Sequence, residues 1–224
     1  MPATLQQIDR ESLRDAVLEQ VRSAILNSEL PLGSRINETE FAAKLGTSRG
    51  PVREALSALA REGLVEIRQG KGSFVRTPTH AELDEIYDLR QLLERHAMPL
   101  VVERITDRDI TKLKRILNEM KKAHNLKERR IAIERDLEFH SEIIRLSGHK
   151  LLHDLHSGLA DKVRMFVAAA TEQVDFEKMF KSHYPILDAL SARDPKLAMK
   201  SIHDHHKVVI KEIVNMLPYQ PKDK

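Results

Sequence analysis

The chain has 224 residues, of which 41% are hydrophobic and 32% are charged, and its formal net charge is +3. This balance is typical of a globular protein long enough for two domains, and it excludes a disordered chain. The absence of cysteine excludes disulfides and thiolate-based metal or catalytic sites. No apolar run approaches the roughly 18 residues of a membrane span, so a cytoplasmic protein with no membrane partner is expected.

Charge and histidine are distributed unevenly along the chain. Residues 44–76 hold seven Lys and Arg against three Glu, whereas all eleven histidines lie at or after His80. Segments of such different chemistry predict two domains. We place the first domain at residues 1–76, a linker at 77–79 and the second domain at 80–224.

The first domain begins with a pattern of three short helices. Ser12 is a candidate cap for the first helix, whose apolar residues recur every four positions. Asn37 opens a short second helix with a capping-box pattern, and Gly46 ends it. Ser48 is the candidate cap of the third helix, and Pro51 falls in its first turn, where a missing N–H costs nothing.

A β-hairpin follows the third helix. Residues 64–67 and 73–75 have the apolar and β-branched composition of strands, and they flank a glycine-rich turn at 69–72. Three helices with a terminal hairpin predict a winged helix-turn-helix.

The third helix carries the residues most suited to DNA. Arg49 and Arg53 lie four apart on its first turns, within reach of guanine edges or phosphates in a major groove. Ser48 can donate to a phosphate, and Thr39 opens the preceding helix near the DNA backbone. The turn at 69–71 would form a wing tip. The alternative is an ordinary solvated helix face, which the combination of cap, arginines, hairpin and basic charge disfavours.

The run SRGPVREAL, followed by EGLV and a glycine-containing wing, resembles the winged helix of the GntR family of bacterial transcription regulators. Members of that family bind short inverted repeats as homodimers. The resemblance implies DNA contacts at the matching positions Thr39, Ser48, Arg49, Pro51, Arg53, Gln69 and Gly70.

The second domain shows only helical patterns. Thr79 with Glu82, and Thr106 with Asp109, are capping-box pairs that begin two of its helices. The predicted helices cover about 79–104, 106–124, 127–147, 150–171, 174–192 and 194–217. The predicted fold class is therefore mainly α, with an N-terminal winged helix-turn-helix and a C-terminal all-α antiparallel helical bundle.

Three histidines fall in the apolar stripes of three different predicted helices: His140, His183 and His205. Asp136 precedes His140 by one helical turn and lies on the same face. A buried polar group without a partner costs about 1–3 kcal/mol, and one divalent metal ion would satisfy all four side chains. The alternative is that each histidine bonds a neighbouring carbonyl in the core. The remaining candidates are interpreted as surface or structural: His149, His153, His156, His203 and His206.

The segments DLEFHSEIIRLSGHKLL and SHYPILDALSARDPKLAMKSIHDHH resemble the helical ligand-binding domain of the FadR subfamily, the FCD domain. In metal-containing members an Asp and three His bind Zn²⁺, Ni²⁺ or a similar ion, and open coordination positions accept a small carboxylate effector. The matching residues are Asp136, His140, His183 and His205. The resemblance also implies that Arg90 pairs with the effector. Two positions depart from the family pattern: Pro185, which can start a helix beside His183, and His149, which replaces the usual Asn.

Together these features predict a homodimeric regulator that binds an inverted-repeat operator in double-stranded DNA, with repression favoured over activation. Binding of the carboxylate effector at the metal site would change operator affinity. Two other functional classes are compatible with parts of the sequence. A metal-dependent enzyme could use the His/Asp site, but no nucleophile or general base accompanies it, so no enzyme is predicted. A nonspecific DNA binder is disfavoured by the modest net charge.

Overall fold

The computed structural model describes residues 10–169 and 176–214. The chain divides into two compact units, the first ending at Thr77 and the second beginning at Pro78. In the part of the chain that is described, no helix is both long and apolar enough to cross a membrane.

The first unit is a winged helix-turn-helix, as predicted. Its elements are α1 (Arg10–Leu26), β1 (Arg35–Ile36), α2 (Glu38–Lys44), α3 (Arg49–Glu62), β2 (Val65–Arg68) and β3 (Gly72–Val75). The strands form an antiparallel sheet in the order β1-β3-β2. Strand β1 was not predicted, because two residues are too few to carry an alternating pattern.

Helices α1 and α3 pack together through buried aliphatic side chains, among them Val17 and Val21 on α1 and Val52 and Leu56 on α3. Burial of each such side chain contributes roughly 1.5–3 kcal/mol relative to exposure. The prediction that Ser12 caps α1 is wrong, because the helix already includes Arg10 and Ser12 lies inside it.

A few residues determine where the helices of the first unit begin and end. The Asn37 side-chain oxygen accepts hydrogen bonds from the N–H groups of Thr39 and Glu40, which fixes the start of α2. Gly46, with φ of 62°, follows its end. Ser48 occupies the N-cap position of α3 with extended backbone, but its hydroxyl makes no cap hydrogen bond. Ser48 is therefore the N-cap residue of α3, as predicted, but its side chain does not supply a capping hydrogen bond, and the residue is exposed.

The second unit is entirely helical over its described residues. Its helices are α4 (His80–Val102), α5 (Asp107–Asn125), α6 (Arg129–Leu146), α7 (Lys150–Ala169), α8 (Phe176–Lys181), α9 (Tyr184–Ser191) and α10 (Pro195–Val214). Helix α4 packs against α6, α7 and α10. The capping boxes of Thr79 with Glu82 and of Thr106 with Asp109 are both formed, so these two helix starts are confirmed.

The predicted helix at 174–192 is two helices instead of one. Helices α8 and α9 are separated at His183, which takes the N-cap position of α9, and Pro185 lies in the first turn. A proline inside a continuous helix would lose a hydrogen bond and clash with the preceding turn, so it favours a new helix start. The parts of the predicted helices at 170–171, 174–175 and 215–217 lie outside the described residues.

Two apolar clusters fill the helical unit, and a polar layer lies between them. On α4, for example, Tyr87 belongs to one cluster and Met98 to the other. The polar segments between the clusters are Arg90–Glu94 on α4, Asp136–His140 on α6 and His205–His206 on α10. This layer positions the candidate site.

Candidate functional site

His140, His183 and His205 converge in the polar layer. One ring nitrogen of each lies within 4.8 Å of those of the other two. The ring centroids are 4.3 Å apart for His183 and His205, 4.8 Å for His140 and His205, and 5.3 Å for His140 and His183. All three side chains are buried. The spacing suits donors that share one ion.

The Nδ1 atoms of two of these rings are tied to groups that can only accept. His140 Nδ1 lies 2.7 Å from a carboxylate oxygen of Glu94, and His183 Nδ1 lies 3.1 Å from the carbonyl oxygens of Met179 and Phe180. Because carboxylate and carbonyl oxygens accept, each Nδ1 carries the proton. In a neutral ring whose Nδ1 carries the proton, Nε2 is unprotonated. The Nε2 atoms of both rings are buried without a hydrogen-bond partner among the described residues.

The third ring is fixed by a hydroxyl. Ser182 Oγ donates to the Met179 carbonyl at 2.5 Å, so its only proton is engaged there. His205 Nδ1, 2.7 Å from Ser182 Oγ, must then donate to that oxygen. In their neutral form all three rings thus present an unprotonated Nε2, the form that binds divalent metals, with Nδ1 held as in known metal sites.

Asp136 stands at the edge of the histidine cluster. Its Oδ1 lies 3.0 Å from His183 Nε2, yet not in hydrogen-bonding geometry. Burial acts to raise the pKa of Asp136, but His183, His140 and Arg90 hold that pKa below its usual range. The carboxylate is therefore anionic. Asp136 and His183 thus place a carboxylate oxygen and an imidazole nitrogen, both possible metal ligands, side by side at the edge of the cluster.

The imidazoles of His140 and His205 are neutral at pH 7. Burial lowers the pKa of His140 to about 4, although Glu94 opposes this shift. Burial, followed by the neighbouring His183 and His140, lowers the pKa of His205 well below its ordinary value. Neutral imidazoles can bind a cation without first losing a proton.

Glu94 is the centre of a hydrogen-bond network that the sequence analysis missed. The carboxylate is fully buried and accepts from Arg90 Nε at 2.7 Å, His140 Nδ1 at 2.7 Å, His156 Nε2 at 2.9 Å and His206 Nε2 at 3.0 Å. Burial acts to raise the pKa of Glu94, but His140, Arg90 and His206 hold it well below the usual value. The available signal was an Arg and a Glu four residues apart on the apolar stripe of α4.

The network also includes two histidines that were interpreted as surface or structural residues. His156 and His206 are both buried, and both contact Glu94, so neither is a surface residue. His149, a candidate further ligand, is exposed, and its Nδ1 accepts the Leu152 N–H at 3.2 Å. It stabilises the start of α7 and does not line the cavity described next.

A cavity of about 30 Å³ adjoins the histidine cluster. Arg90, Asp136, His183 and His205 line it, together with Tyr87. Arg90 Nη2 and the Tyr87 hydroxyl are buried without a hydrogen-bond partner in the described part of the chain. Burial raises the pKa of Tyr87, so its hydroxyl keeps its proton. The rest of the lining is His124 and a set of apolar residues, which are Met120, Ala132, Ile133, Val167, Met179, Phe180 and Val209.

The predicted DNA contacts form a largely exposed set on the first unit. Thr39, Ser48, Arg49, Arg53, Gln69 and Gly70 are exposed, and Pro51 is half-buried. Arg49 Nη2 lies 3.3 Å from a carboxylate oxygen of Glu38. Arg53, one turn further along α3, makes no ion pair with any described residue. Gly70, with φ of 72°, forms the turn between β2 and β3.

Both parts of the chain match known protein families. Residues 13–75 match "Bacterial regulatory proteins, gntR family", and residues 85–207 match "FCD domain". The chain is 31% identical over 205 residues to the probable D-xylose utilization operon transcriptional repressor of Paenarthrobacter nicotinovorans, covering 92% of this chain and 90% of that protein. It is 27% identical over 204 residues to the gluconate operon transcriptional repressor of Bacillus licheniformis, covering 88% and 84%.

A solved structure has the same fold. The putative transcriptional regulator GntR from Rhodococcus sp. RHA1 superposes with a TM-score of 0.80 at 22% identity, over 93% of this chain and 100% of that chain. The matched families and the relatives described here are transcriptional regulators and not enzymes.

Proposed function

This chain belongs to the GntR family of bacterial transcriptional regulators, and on that premise we propose that it represses transcription by binding an inverted-repeat operator as a homodimer. A small carboxylate bound beside a metal ion in the helical unit would release the protein from its operator. The observation that carries this proposal is the convergence of three buried imidazoles, one ring nitrogen of each lying within 4.8 Å of those of the other two.

The exposed first turns of α3 support the DNA-binding part. Arg53 has no competing carboxylate, and its guanidinium is suited to a guanine edge or a phosphate. Arg49 would exchange its contact with Glu38 for one with DNA. An exposed ion pair of this kind contributes at most about 1 kcal/mol, so the exchange costs little.

A divalent ion, Zn²⁺ or Ni²⁺, fits the polar layer. His140, His183 and His205 would bind it through Nε2, and Asp136 through its carboxylate. The fit rests on the orphaned Nε2 atoms of His140 and His183, because burying unpartnered acceptors costs about 1–3 kcal/mol each. Neutral imidazole with carboxylate is a donor set that both ions accept.

Arg90 and Tyr87 support a carboxylate as the effector. Each leaves a buried donor unpaired on the cavity wall, and a carboxylate could accept from both. Most of the remaining lining is apolar, so the remainder of the effector would be a short aliphatic group. A polyhydroxylated sugar acid would bury hydroxyls against Met120, Ile133 and Val209, where they would lack partners.

The small volume of the cavity suggests how effector binding changes operator affinity. A water needs roughly 10–15 Å³ of such space, so a cavity of about 30 Å³ holds about two waters. Any larger ligand must move the surrounding helices. Effector binding would therefore favour a second arrangement of the bundle, which is what coupling to operator affinity requires.

The test begins with sequencing the DNA that the protein retains from its own genome, which identifies the operator. Arg53→Ala should then weaken operator binding at least about 30-fold, by analogy with other bidentate base contacts. Arg61→Ala, an exposed arginine in the last turn of the same helix, is the matched control and should bind nearly as the wild type does. If Arg53→Ala and the wild type bind the operator with equal affinity, the assignment of α3 as the DNA-recognition helix is contradicted.

A further inference from the structure

A second cavity, lined by residues of α4, α6 and α7, lies in the helical unit. Its volume is about 80 Å³, which is room for about six waters, whereas the cavity beside the histidines has about 30 Å³. Its polar lining consists of Arg90, Ser141, His156 and Ser157. The rest of the lining is apolar and comprises Leu137, Leu159, Ala160 and Val163. Such a mixture of polar and apolar side chains is typical of a site for a small organic molecule.

The two serine hydroxyls of the second cavity make no hydrogen bond with another described residue. Serine within a helix commonly donates to the carbonyl four residues earlier. Ser57 and Ser191, on other helices of this chain, do so at 2.8 Å each. Ser141 and Ser157 have the same local option and leave it unused. Their hydroxyl protons are therefore available to a ligand in the second cavity.

Arg90 is the one residue that the linings of the two cavities share. Its Nε donates to Glu94 at 2.7 Å, and its Nη2 is buried without a hydrogen-bond partner in the described part of the chain. The side chain is 2% exposed, so bulk water does not satisfy it. A guanidinium is always charged, and a buried N–H without an acceptor costs free energy. Arg90 therefore has donor capacity to offer to a ligand in either cavity.

These donors favour an anion with a short apolar part. Among the described residues, no Asp or Glu lines the second cavity, so a guanidinium and two hydroxyls meet no competing carboxylate there. A carboxylate can accept from several such donors at once. The four apolar side chains would bury an aliphatic group of the same ligand, which an inorganic oxyanion does not have.

We propose that the second cavity binds a small aliphatic carboxylate through Arg90, Ser141 and Ser157, and that this ligand opposes binding of the effector beside the histidines. The site itself does not depend on the proposed function. The antagonism rests on the proposed function, because it requires an effector that also uses Arg90.

The antagonism follows from the shared guanidinium. Each ligand would take an N–H of the same Arg90 side chain, and the two carboxylates would lie a few ångströms apart, where like charges repel. Coupling between two sites is reciprocal, so each ligand must weaken the other by the same factor. A carboxylate in the second cavity would thus keep the protein on its operator when the effector is present.

The first experiment is a fluorine NMR titration of the full-length chain with trifluoroacetate, before and after treatment with a chelator. Saturable binding is expected in both forms. The double variant Ser141→Ala/Ser157→Ala should bind at least about 30-fold more weakly, because two hydrogen bonds to a charged group are lost. Ser191→Ala, whose hydroxyl faces its own helix, is the matched control and should bind as the wild type does. Circular dichroism should be the same in all three proteins.

Two further arms locate and classify the ligand. Tyr87 lines the cavity beside the histidines and not the second cavity, so Tyr87→Phe should bind trifluoroacetate as the wild type does. Weaker binding to Tyr87→Phe, with no effect of the serine substitutions, would overturn the second site. Inorganic phosphate should bind more weakly than trifluoroacetate, and the reverse order would overturn the carboxylate as the ligand class.

The second experiment is calorimetry of butyrate binding to Zn²⁺-loaded protein. Saturating trifluoroacetate should weaken butyrate about tenfold, and the serine double variant should abolish this effect. If the effect persists in the double variant, trifluoroacetate competes within the cavity beside the histidines, and the antagonism between two sites is wrong.

The outcomes separate this inference from the proposed function. A chain that binds butyrate but shows no serine-dependent binding of trifluoroacetate would overturn the second site, and the proposed effector would still stand. A chain that binds trifluoroacetate through Ser141 and Ser157 but does not bind butyrate would overturn the effector and the antagonism, and the second site would remain.

Discussion

Glu94 accepts a hydrogen bond from His140 Nδ1 at 2.7 Å, and neither side chain has any solvent exposure. This contact decides which nitrogen of His140 is free. Because the carboxylate holds the proton on Nδ1, Nε2 of the neutral ring keeps its lone pair, and it is buried without a hydrogen-bond partner among the described residues. A buried acid on α4 therefore determines which nitrogen of a histidine on α6 is available to a metal ion.

Glu94→Gln should weaken metal binding without removing a ligand. The amide has the same shape, but it places an N–H₂ donor among side chains that all donate to this position, so His140 loses its fixed orientation. Changes of this type lower metal affinity by about 10–100-fold. Competition with a chromogenic chelator measures the effect.

The matched control for that experiment is Glu103→Gln, at an exposed glutamate that follows α4. It should leave metal affinity unchanged. If Glu94→Gln loses stability but binds metal as tightly as the wild type, Glu94 holds the helices together without orienting His140.

Metal removal should lower the melting temperature of the wild-type protein. An ion present at 1,000 times its dissociation constant stabilises the folded state by about 4 kcal/mol, which corresponds to roughly 10 °C for a chain of this size. Elemental analysis of protein purified without a histidine tag, followed by melting with and without chelator, measures both content and effect. His205→Ala should abolish the difference, whereas His153→Ala, outside the cluster, should retain it. Equal melting of wild type and His205→Ala at saturating Zn²⁺ would count against the site.

The cavity should prefer a short aliphatic monocarboxylate over a sugar acid. Calorimetry on metal-loaded protein should show that butyrate binds at least about tenfold more tightly than gluconate. Gluconate would bury its hydroxyls against the apolar residues of the cavity. Tyr87→Phe should weaken butyrate about tenfold by removing one donor to the carboxylate. Tyr184→Phe, at a tyrosine that does not line the cavity, serves as the control. Tighter binding of gluconate would contradict the proposed effector class.

Gly148 should not tolerate a side chain. It has φ of +67°, and a Cβ atom there would lie 2.0 Å from Nη1 of Arg104, which donates to the Ser147 carbonyl at 2.8 Å. Gly148→Ala should therefore lower the free energy of unfolding by about 1–3 kcal/mol. Gly158→Ala, where nothing lies within 4 Å and the backbone is helical, should instead raise it by up to about 1 kcal/mol. Urea denaturation compares the two, and equal effects would refute the steric argument.

Helical periodicity predicted much of the fold because each helix buries one face against the rest of the bundle. His140 and His205 were found for this reason, since each lies in an apolar stripe. Glu94 and His206 were missed because their burial depends on each other: a charged side chain on an apolar stripe is stable only with partners from other helices. Sequence periodicity within one helix does not carry that information.

The break at His183 illustrates a second limit. The apolar pattern continues through residues 176–190, so periodicity alone predicts one helix across both α8 and α9. Pro185 is the local signal for a new helix, and His183 takes the N-cap position before it. The same ring still reaches the cluster, because the carbonyls of Met179 and Phe180 at the end of α8 hold its Nδ1.

Helix α4 has two sides in different surroundings. One carries the buried Arg90, which lines the cavity, and the buried Glu94, and the other carries Leu89 and Leu92 outward. Because an α-helix about 10 Å in diameter moves as a rigid unit, a ligand that draws Arg90 inward must rotate Leu89 and Leu92 with it. Ligand binding in the cavity would then reach the outer face of the helical unit through the rotation of this single helix, which is also the first helix after Thr77.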